Sequence, residues 1–386
     1  MKRALRDALE AVGQVNGRAW ANAALNYCEA LLRVSRPMSL PVSLDIVLTK
    51  ACNLRCVFCI SYGSLSGDRW MPFDLYEKIA QRLFPTAHNV NFCSGGEPFL
   101  YPHIREALAL ARRHRTRTVV VSNGMPINLA TAEWIVGDQT LHELKISFDG
   151  ATKETLERIR RGASYETILA NIARLDRLKR ERGVAYPRLG IRYAVMKSNA
   201  EELPEVLEIC ARHGVEKLDV VYLNVTNDMD FGESLYNHAG LAARVFAEAR
   251  RRGSHLGVRV NLPPLRGHDH PGHRCFKPWH FCQIDADGAV RFCYKAWRQR
   301  LGFFQDGFDS VWRGEHYQRI RQTADSDAPY FPYCRFCAVR CGFDQENAHN
   351  QKLHEDAYVI PGAEDLQIPF NERREENLGA LKQPKP

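Results

Sequence analysis

The sequence predicts an α/β fold: a partial (β/α)6 barrel, open on one side, followed by a small cysteine-rich domain. Three observations predict it. From residue 42 onward, six short apolar runs alternate with amphipathic helical stretches, the pattern of a parallel sheet whose crossovers are helices. Turns rich in glycine, serine and asparagine follow several of these runs, at the strand ends where α/β sheets and barrels place their ligands. Nine of the twelve cysteines fall into two groups, 52–59 and 275–341.

The 386 residues exceed what one core usually spans, and a hydrophobic content of 45% suffices for a sizeable core. Five segments are expected: an N-terminal helical segment (1–39), the barrel (40–252), a linker (253–274), the cysteine-rich domain (275–360) and a polar tail (361–386). No apolar run approaches the roughly twenty residues that cross a bilayer. The first thirty residues lack an apolar core with a cleavage site, so a cytoplasmic protein is expected. In that reducing compartment, cysteines serve metals or clusters rather than disulfides. The net charge is +8. The basic runs at Arg112–Arg117 and Arg174–Arg182 lie on predicted helices or their ends and read as solvated faces. No aromatic-basic motif accompanies them, so nucleic acid is not an expected partner. Cys28, Cys93 and Cys210 stand alone in helical or strand patterns and read as small buried apolar residues.

Taken in order, Leu5, Leu9 and Val12, then Ala21, Ala24, Leu25, Cys28, Leu31 and Leu32, carry helical periodicity and predict a helix pair. Strands are expected at Val42–Leu48, Val90–Cys93, Thr118–Val121, Leu144–Phe148, Leu189–Val195 and Leu218–Leu223. Helices are expected at Asp74–Leu83, His103–His114, Leu129–Val136, Tyr165–Arg182, Ala200–His213 and Leu235–Arg252. His268, His270 and His273 sit where no helix or strand fixes them and read as a polar connector rather than a metal site. Beyond them, Gln283–Asp285 and Ala289–Cys293 flank Asp287-Gly288, a two-residue hairpin signal. A last helix is expected over Val311–Arg321.

The chemistry starts at Cys52, Cys56 and Cys59, which follow the first strand with three and then two intervening residues. Three thiolates can hold three irons of a [4Fe–4S] cluster and leave the fourth open, whereas four-cysteine sites are closed electron carriers. From spacing alone, half of a zinc site is the alternative. With Phe58 before the last cysteine, the spacing resembles the signature of the radical S-adenosylmethionine (SAM) superfamily. That resemblance implies an open iron that chelates SAM, whose reductive cleavage gives a 5′-deoxyadenosyl radical that takes hydrogen from a substrate. It also implies that Gly95, Gly96 and Glu97 bind the SAM ammonium, the glycines by close main-chain approach and Glu97 as a charged acceptor. Ser122 and Asn123 after the third strand, with Ser147 and Asp149 after the fourth, are placed by the same resemblance around the ribose and carboxylate. Taken alone, such residues read as turn formers or helix caps. Arg192 and Met196 on the fifth strand, with Tyr222 and Asn224 at the end of the sixth, are candidates for lining the adenosine or substrate pocket. The resemblance spans about residues 40–225.

The second cysteine group, with Trp279, Gly288 and Trp312-Arg313-Gly314 around it, resembles the SPASM/Twitch domains that append iron–sulfur sites to radical SAM cores. Six cysteines follow residue 270, where a two-cluster domain needs seven or eight. The resemblance therefore implies one auxiliary [4Fe–4S] cluster on Cys275, Cys293, Cys334 and Cys337. Cys282 and Cys341 are left over, as replacement ligands, hydrogen donors or packing. A zinc ribbon on the same four cysteines is the alternative.

The expected function is hydrogen abstraction from a small molecule (a carbohydrate, aminocyclitol or nucleoside), giving dehydrogenation or another radical rearrangement, with flavodoxin or ferredoxin as reductant. The 51 residues before Cys52 look short for an added winged-helix peptide-binding domain, which favours the small molecule. The runner-up is a maturase acting on a ribosomal peptide. A third reading, an iron–sulfur carrier or sensor without turnover, has no use for an open three-cysteine site beside Glu97.

Overall fold

Alternation within each apolar run decides the architecture. Leu44 and Ile46, Val90 and Phe92, Leu144 and Ile146, and Ile191, Tyr193 and Val195 are buried on one face in a single core. Apart from Ala194, the residues between them are polar, so the sheet has one dry face for helices and one wet face. The computed structural model describes residues 16–59, 70–223, 231–265, 274–296, 299–337 and 360. Its sheet strands are β1 (Ser43–Ile46), β2 (Asn89–Phe92), β3 (Arg117–Ser122), β4 (Glu143–Ser147), β5 (Arg188–Val195), β6 (Lys217–Tyr222), β7 (Arg259–Asn261), β8 (Phe281–Ile284) and β9 (Val290–Arg291). They lie in the order β9-β8-β1-β2-β3-β4-β5-β6-β7. All neighbours are parallel except the β8–β9 hairpin.

The six expected strands form the run from β1 to β6, and their dry face is covered by helices where periodicity placed them. These are α2 (Phe73–Leu83), α3 (Ile104–Arg113), α4 (Leu129–Asp138), α6 (Tyr165–Glu181), α7 (Leu203–Arg212) and α8 (Ala239–Leu256). Polar caps fix the starts of α4 and α6: Asn128 accepts from Thr131 N (2.9 Å) and Ser164 from Thr167 N (3.2 Å). A short helix, α5 (Lys153–Ile159), was not expected; it is capped by Thr152. No helix among the described residues is long and apolar enough to cross a membrane.

Both edges of the sheet extend past the six strands. β7 lies in the stretch read as a connector, whose three histidines fall outside the described residues. On the other edge, the cysteine-rich segment joins the barrel sheet itself: β8 pairs with β1 from Ser43↔Phe281 to Ile46↔Ile284. The hairpin after β8 has a three-residue loop. Asp285 N donates to Ala289 O (2.9 Å), and Gly288 takes φ +86, the left-handed last position that such a loop needs. The expected helix over Val311–Arg321 is two helices, α9 (Phe308–Trp312) and α10 (Glu315–Thr323). They break at Gly314, where a Cβ would stand 2.4 Å from Ser310 O.

Of the expected N-terminal helix pair, α1 (Gly17–Leu31) is present, and Leu5, Leu9 and Val12 fall outside the described residues. Its polar residues face inward. Buried Asn26 donates to Leu40 O (3.1 Å) and Trp279 O (2.7 Å), tying the barrel entrance to the cysteine-rich segment. Cys28, expected to be buried, is exposed on α1, because the inward face is taken by Asn26 and Glu29.

Candidate active site

The loop after β1 is held against the loop after β2 by two main-chain bonds, Gly96 N to Thr49 O (2.7 Å) and Glu97 N to Ala51 O (2.8 Å). Only glycines permit this approach: a Cβ on Gly95 would lie 2.7 Å from Thr49 O, and one on Gly96 1.9 Å from Ala51 O. The glycine pair is thus explained within the protein by the seating of the cysteine loop, before any ligand is considered.

Cys52 Sγ accepts from Leu54 N (3.4 Å) and from Asn123 Nδ2 (3.8 Å), and Asn123 also donates to Asn53 Oδ1 (2.7 Å). Cys56 pairs with Arg160 in a two-residue ribbon, Arg55–Cys56 against Arg160–Arg161. Its Sγ accepts from Arg160 Nη1 at 3.7 Å. Cys59 N donates to Cys56 O (3.1 Å), which turns the third thiol back toward the second. Arg160 is buried, paired with Asp149 at 2.6 Å, and its Cζ stands 5.6 Å from the centre of the Phe58 ring. Burial pushes Cys52 up to about 12 and Cys56 up to about 11, with the other thiolates adding to the rise and Arg160 opposing it at Cys56. As free thiols they are protonated at neutral pH, so iron would bind by displacing protons. Once ligated, a thiolate gains from N–H donors and a nearby guanidinium. Among the described residues no three His, Cys, Asp or Glu side chains converge on a single-ion site. The triplet is nevertheless close enough for each charge to act on the others.

Glu97 is buried with both oxygens occupied. Oε1 accepts from Ser122 Oγ (2.8 Å) and Phe99 N (3.2 Å), and Oε2 from Asn123 N (2.7 Å). Burial pushes its pKa up to about 7 against the pull of those bonds. The carboxylate therefore ties the ends of β2 and β3 together, beside Cys52. Ser122 is engaged twice, since its Oγ also accepts from Gly124 N (3.0 Å). Asp149 serves Arg160 and Ala194 N (2.7 Å). Ser147 closes β4 in register with Arg192 on β5. Met196 packs beneath the loop with Ile159, Leu223, Val57 and Phe58. Tyr222, a candidate for lining the pocket, faces the helices instead: its ring lies 5.9 Å from Phe246 and its hydroxyl donates to Pro264 O (3.1 Å). Asn224 lies outside the described residues.

In the second group, Cys275, Cys293 and Cys337 act on one another's charge, and burial raises Cys275 to about 12 and Cys293 to about 11. Cys293 Sγ accepts from Lys295 N (3.5 Å). Cys334 lies within the short turn Pro332–Phe336 that leads to Cys337, and it packs against the core. Cys282 stands apart: fully buried on β8, it packs in the core beside Tyr317 and Arg321. Cys341 lies outside the described residues.

Residues 46–210 match the family model described as the radical SAM superfamily, and residues 275–341 match that of an iron–sulfur cluster-binding domain, SPASM. The chain carries a radical SAM domain followed by a SPASM domain. It is 23% identical over 315 residues to the mycofactocin maturase MftC of Mycolicibacterium smegmatis, covering 78% of each chain. It is also 23% identical over 332 residues to a tungsten-containing aldehyde ferredoxin oxidoreductase cofactor-modifying protein of Pyrococcus furiosus, covering 78% of this chain and 88% of that one. Its fold resembles that of SuiB from Streptococcus suis in complex with the precursor peptide SuiA, with a TM-score of 0.58 at 16% identity over 74% of this chain and 67% of that one. The radical SAM domain implies a [4Fe–4S] cluster with SAM, and the SPASM domain an auxiliary iron–sulfur cluster.

Sequence reasoning missed two parts of this radical SAM site. Arg160 was one, because nothing local marks a partner for Cys56 more than a hundred residues away. The other is the wet face of the sheet, signalled by the alternation of Ser43-x-Asp45, Asn89-x-Asn91, Glu143-x-Lys145 and Lys217-x-Asp219. Across it run Arg117–Glu143 (2.9 Å), Lys217–Glu143 (3.4 Å), Lys145–Asp219 (2.7 Å) and Lys217–Asp219 (3.1 Å). Asp45 receives Ser94 Oγ at 2.5 Å. Cys93 belongs to this face and is exposed on it, which corrects the expectation that it is buried apolar filling.

Gly96→Ala tests the seating of the loop. The extra methyl has no room beside Ala51 O, so the two main-chain bonds must stretch. Expected are a stability loss of about 1–3 kcal/mol, as for overpacking, and less than half the wild-type iron at the first cluster. Iron content and chemical denaturation of the same preparation check both.

Proposed function

We propose that this radical SAM enzyme modifies a peptide, with the reaction centred in the barrel lumen between its two cysteine groups. In this reading Cys52, Cys56 and Cys59 hold the [4Fe–4S] cluster that takes SAM. Cys275, Cys293, Cys334 and Cys337 hold the auxiliary cluster. The observation that carries the reading is the placement of both groups along one sheet: the first follows β1, and the second flanks β8, which pairs with β1. When bound, cluster and SAM supply hydrogen abstraction from an unactivated C–H bond. The chain's own residues do the rest. Main chain at Gly95-Gly96, with Glu97, Ser122 and Asn123, frames the SAM side, while Arg160 offsets the charge of Cys56. The wet face offers donors and acceptors that main-chain amides of a peptide need once they leave water.

The likeness to SuiB with its precursor peptide supports a peptide over the small molecule expected from the sequence. Isotope transfer tests it. Extracts of the host grown in deuterated medium are divided into peptide and small-molecule pools and offered with SAM to the anaerobically reconstituted enzyme. Deuterium in 5′-deoxyadenosine is expected from the peptide pool. Deuterium from the small-molecule pool alone sinks the peptide reading, and none from either pool sinks turnover itself.

A further inference from the structure

We propose that Arg192 anchors a carboxylate of the substrate in the barrel lumen, with Tyr294 of the SPASM segment forming the facing wall. This rests on the lumen being the substrate site, and adds the chemistry of what enters it. Arg192 lies in the middle of β5, between the buried Ile191 and Tyr193, with its own side chain exposed on the wet face. Its register neighbours are Ser147 on β4 and Asp219 on β6. Asp219 is already taken by Lys145 (2.7 Å), Lys217 (3.1 Å) and Asn261 Nδ2 (2.6 Å). Asp149, the other nearby acid, is taken by Arg160 (2.6 Å) and Ala194 N (2.7 Å).

Among the described residues, then, no hydrogen bond or ion pair engages the Arg192 guanidinium. An arginine exposed on the wet face of the lumen, with its neighbouring acids committed elsewhere, favours an incoming anion, and its planar fork suits a carboxylate. On the floor beneath it Arg117, Lys145 and Lys217 are matched in number by Glu143, Asp219 and Asp45, so Arg192 is the charge left over.

Tyr294 follows the proposed ligand Cys293 and is 48% exposed, with its ring edge-on to Phe281 of β8 at 6.4 Å. The charges of Arg192 and of Cys275, Cys293 and Cys337 all reach its hydroxyl. A substrate held at Arg192 would therefore extend along Tyr294 toward the auxiliary cysteines. This takes the substrate side of the adenosine-or-substrate lining that the sequence offered for Arg192.

Cys93 reports on this directly. It opens on the lumen beside Asp45, which accepts from Cys93 N (3.3 Å), and within reach of the charges of Arg192 and Lys145, while Cys28 is exposed on α1 and gives a reference in the same molecule. Iodoacetate and iodoacetamide both alkylate a thiolate with loss of iodide and differ in a carboxylate against an amide. In the anaerobically reconstituted, SAM-free enzyme, site-resolved mass spectrometry gives the iodoacetate-to-iodoacetamide labelling ratio at each cysteine. The Cys93 ratio is expected to exceed that of Cys28 by about tenfold, the low end of what a charged cleft achieves. Arg192→Gln should bring it down to the Cys28 value, and Arg192→Lys should keep most of it.

Equal ratios in the wild type, no effect of Arg192→Gln, or no labelling of Cys93 by either reagent would each overturn the proposal. So would a tenfold loss of SAM affinity in Arg192→Gln, measured by equilibrium dialysis, since Arg192 would then be a cofactor residue. Capped tripeptides separate the two sources of the carboxylate. A glycine–glutamate–glycine amide presents it on a side chain, and N-acetyl-triglycine at the C-terminus. Whichever slows Cys93 labelling names the source, and protection by neither counts against the proposal. None of these readouts requires turnover, so their failure is distinct from failure of the isotope experiment.

Discussion

Cys56→Ala is expected to reduce 5′-deoxyadenosine formation from SAM to background, with or without substrate. The alanine removes one of the three thiolates proposed to hold the open iron's cluster, and no other cysteine among the described residues stands ready to replace it: Cys93 lies on the wet face and Cys210 in the core. Damage to the fold should be modest. Arg160 loses its bond to Cys56 but keeps Asp149 at 2.6 Å, so no buried charge is stranded. Arg160→Gln is the instructive contrast. It leaves Asp149 buried without its partner, and breaking such a pair costs about 3–5 kcal/mol. The measurement is 5′-deoxyadenosine by liquid chromatography after dithionite reduction, alongside iron content and circular dichroism. Cleavage at the wild-type rate in folded Cys56→Ala would refute the assignment of the triplet.

How far the sequence could be read depends on the range of the interactions. The six central strands and the six helices that follow them were legible, because each run carries its own period within a short stretch of sequence. Cys52, Cys56 and Cys59 were legible for the same reason, being close together. What escaped is non-local. Nothing near Phe281 says that it pairs with Ser43, so the cysteine-rich segment read as an appendage rather than a strand of the barrel sheet. Gly288 was noticed as a turn residue, but Asp285 N to Ala289 O makes the loop three residues rather than two. Glu97 and Asp149 were read as groups awaiting a ligand. Their first partners are in the protein, Ser122 and Asn123 for one and Arg160 for the other. Cys28 was misjudged because α1 turns its polar side inward toward Trp279.

The double variant Cys334→Ala, Cys337→Ala should separate the two halves of the chemistry. Cys337 shares an electrostatic neighbourhood with Cys275 and Cys293, and Cys334 lies within the turn that leads to it. Iron is expected to fall from about eight to about four per chain, the content of two cubanes and of one. SAM cleavage without substrate needs only the first cluster and should persist. Substrate conversion should be lost, because the lumen loses the support behind Tyr294 along with any electron acceptor there. The pairing of β8 with β1 makes a control necessary, since losing a metal can unfold the segment it holds. If the auxiliary cluster pins β8, its loss could loosen Ser43–Ile46 and with it the loop of Cys52. That case announces itself as loss of the remaining four irons and of SAM cleavage together. It would identify the second cysteine group as part of the barrel's structure rather than of its chemistry alone. A wild-type enzyme carrying about four irons and one zinc would instead favour the ribbon. Wild-type substrate turnover by the double variant would remove these cysteines from the reaction altogether.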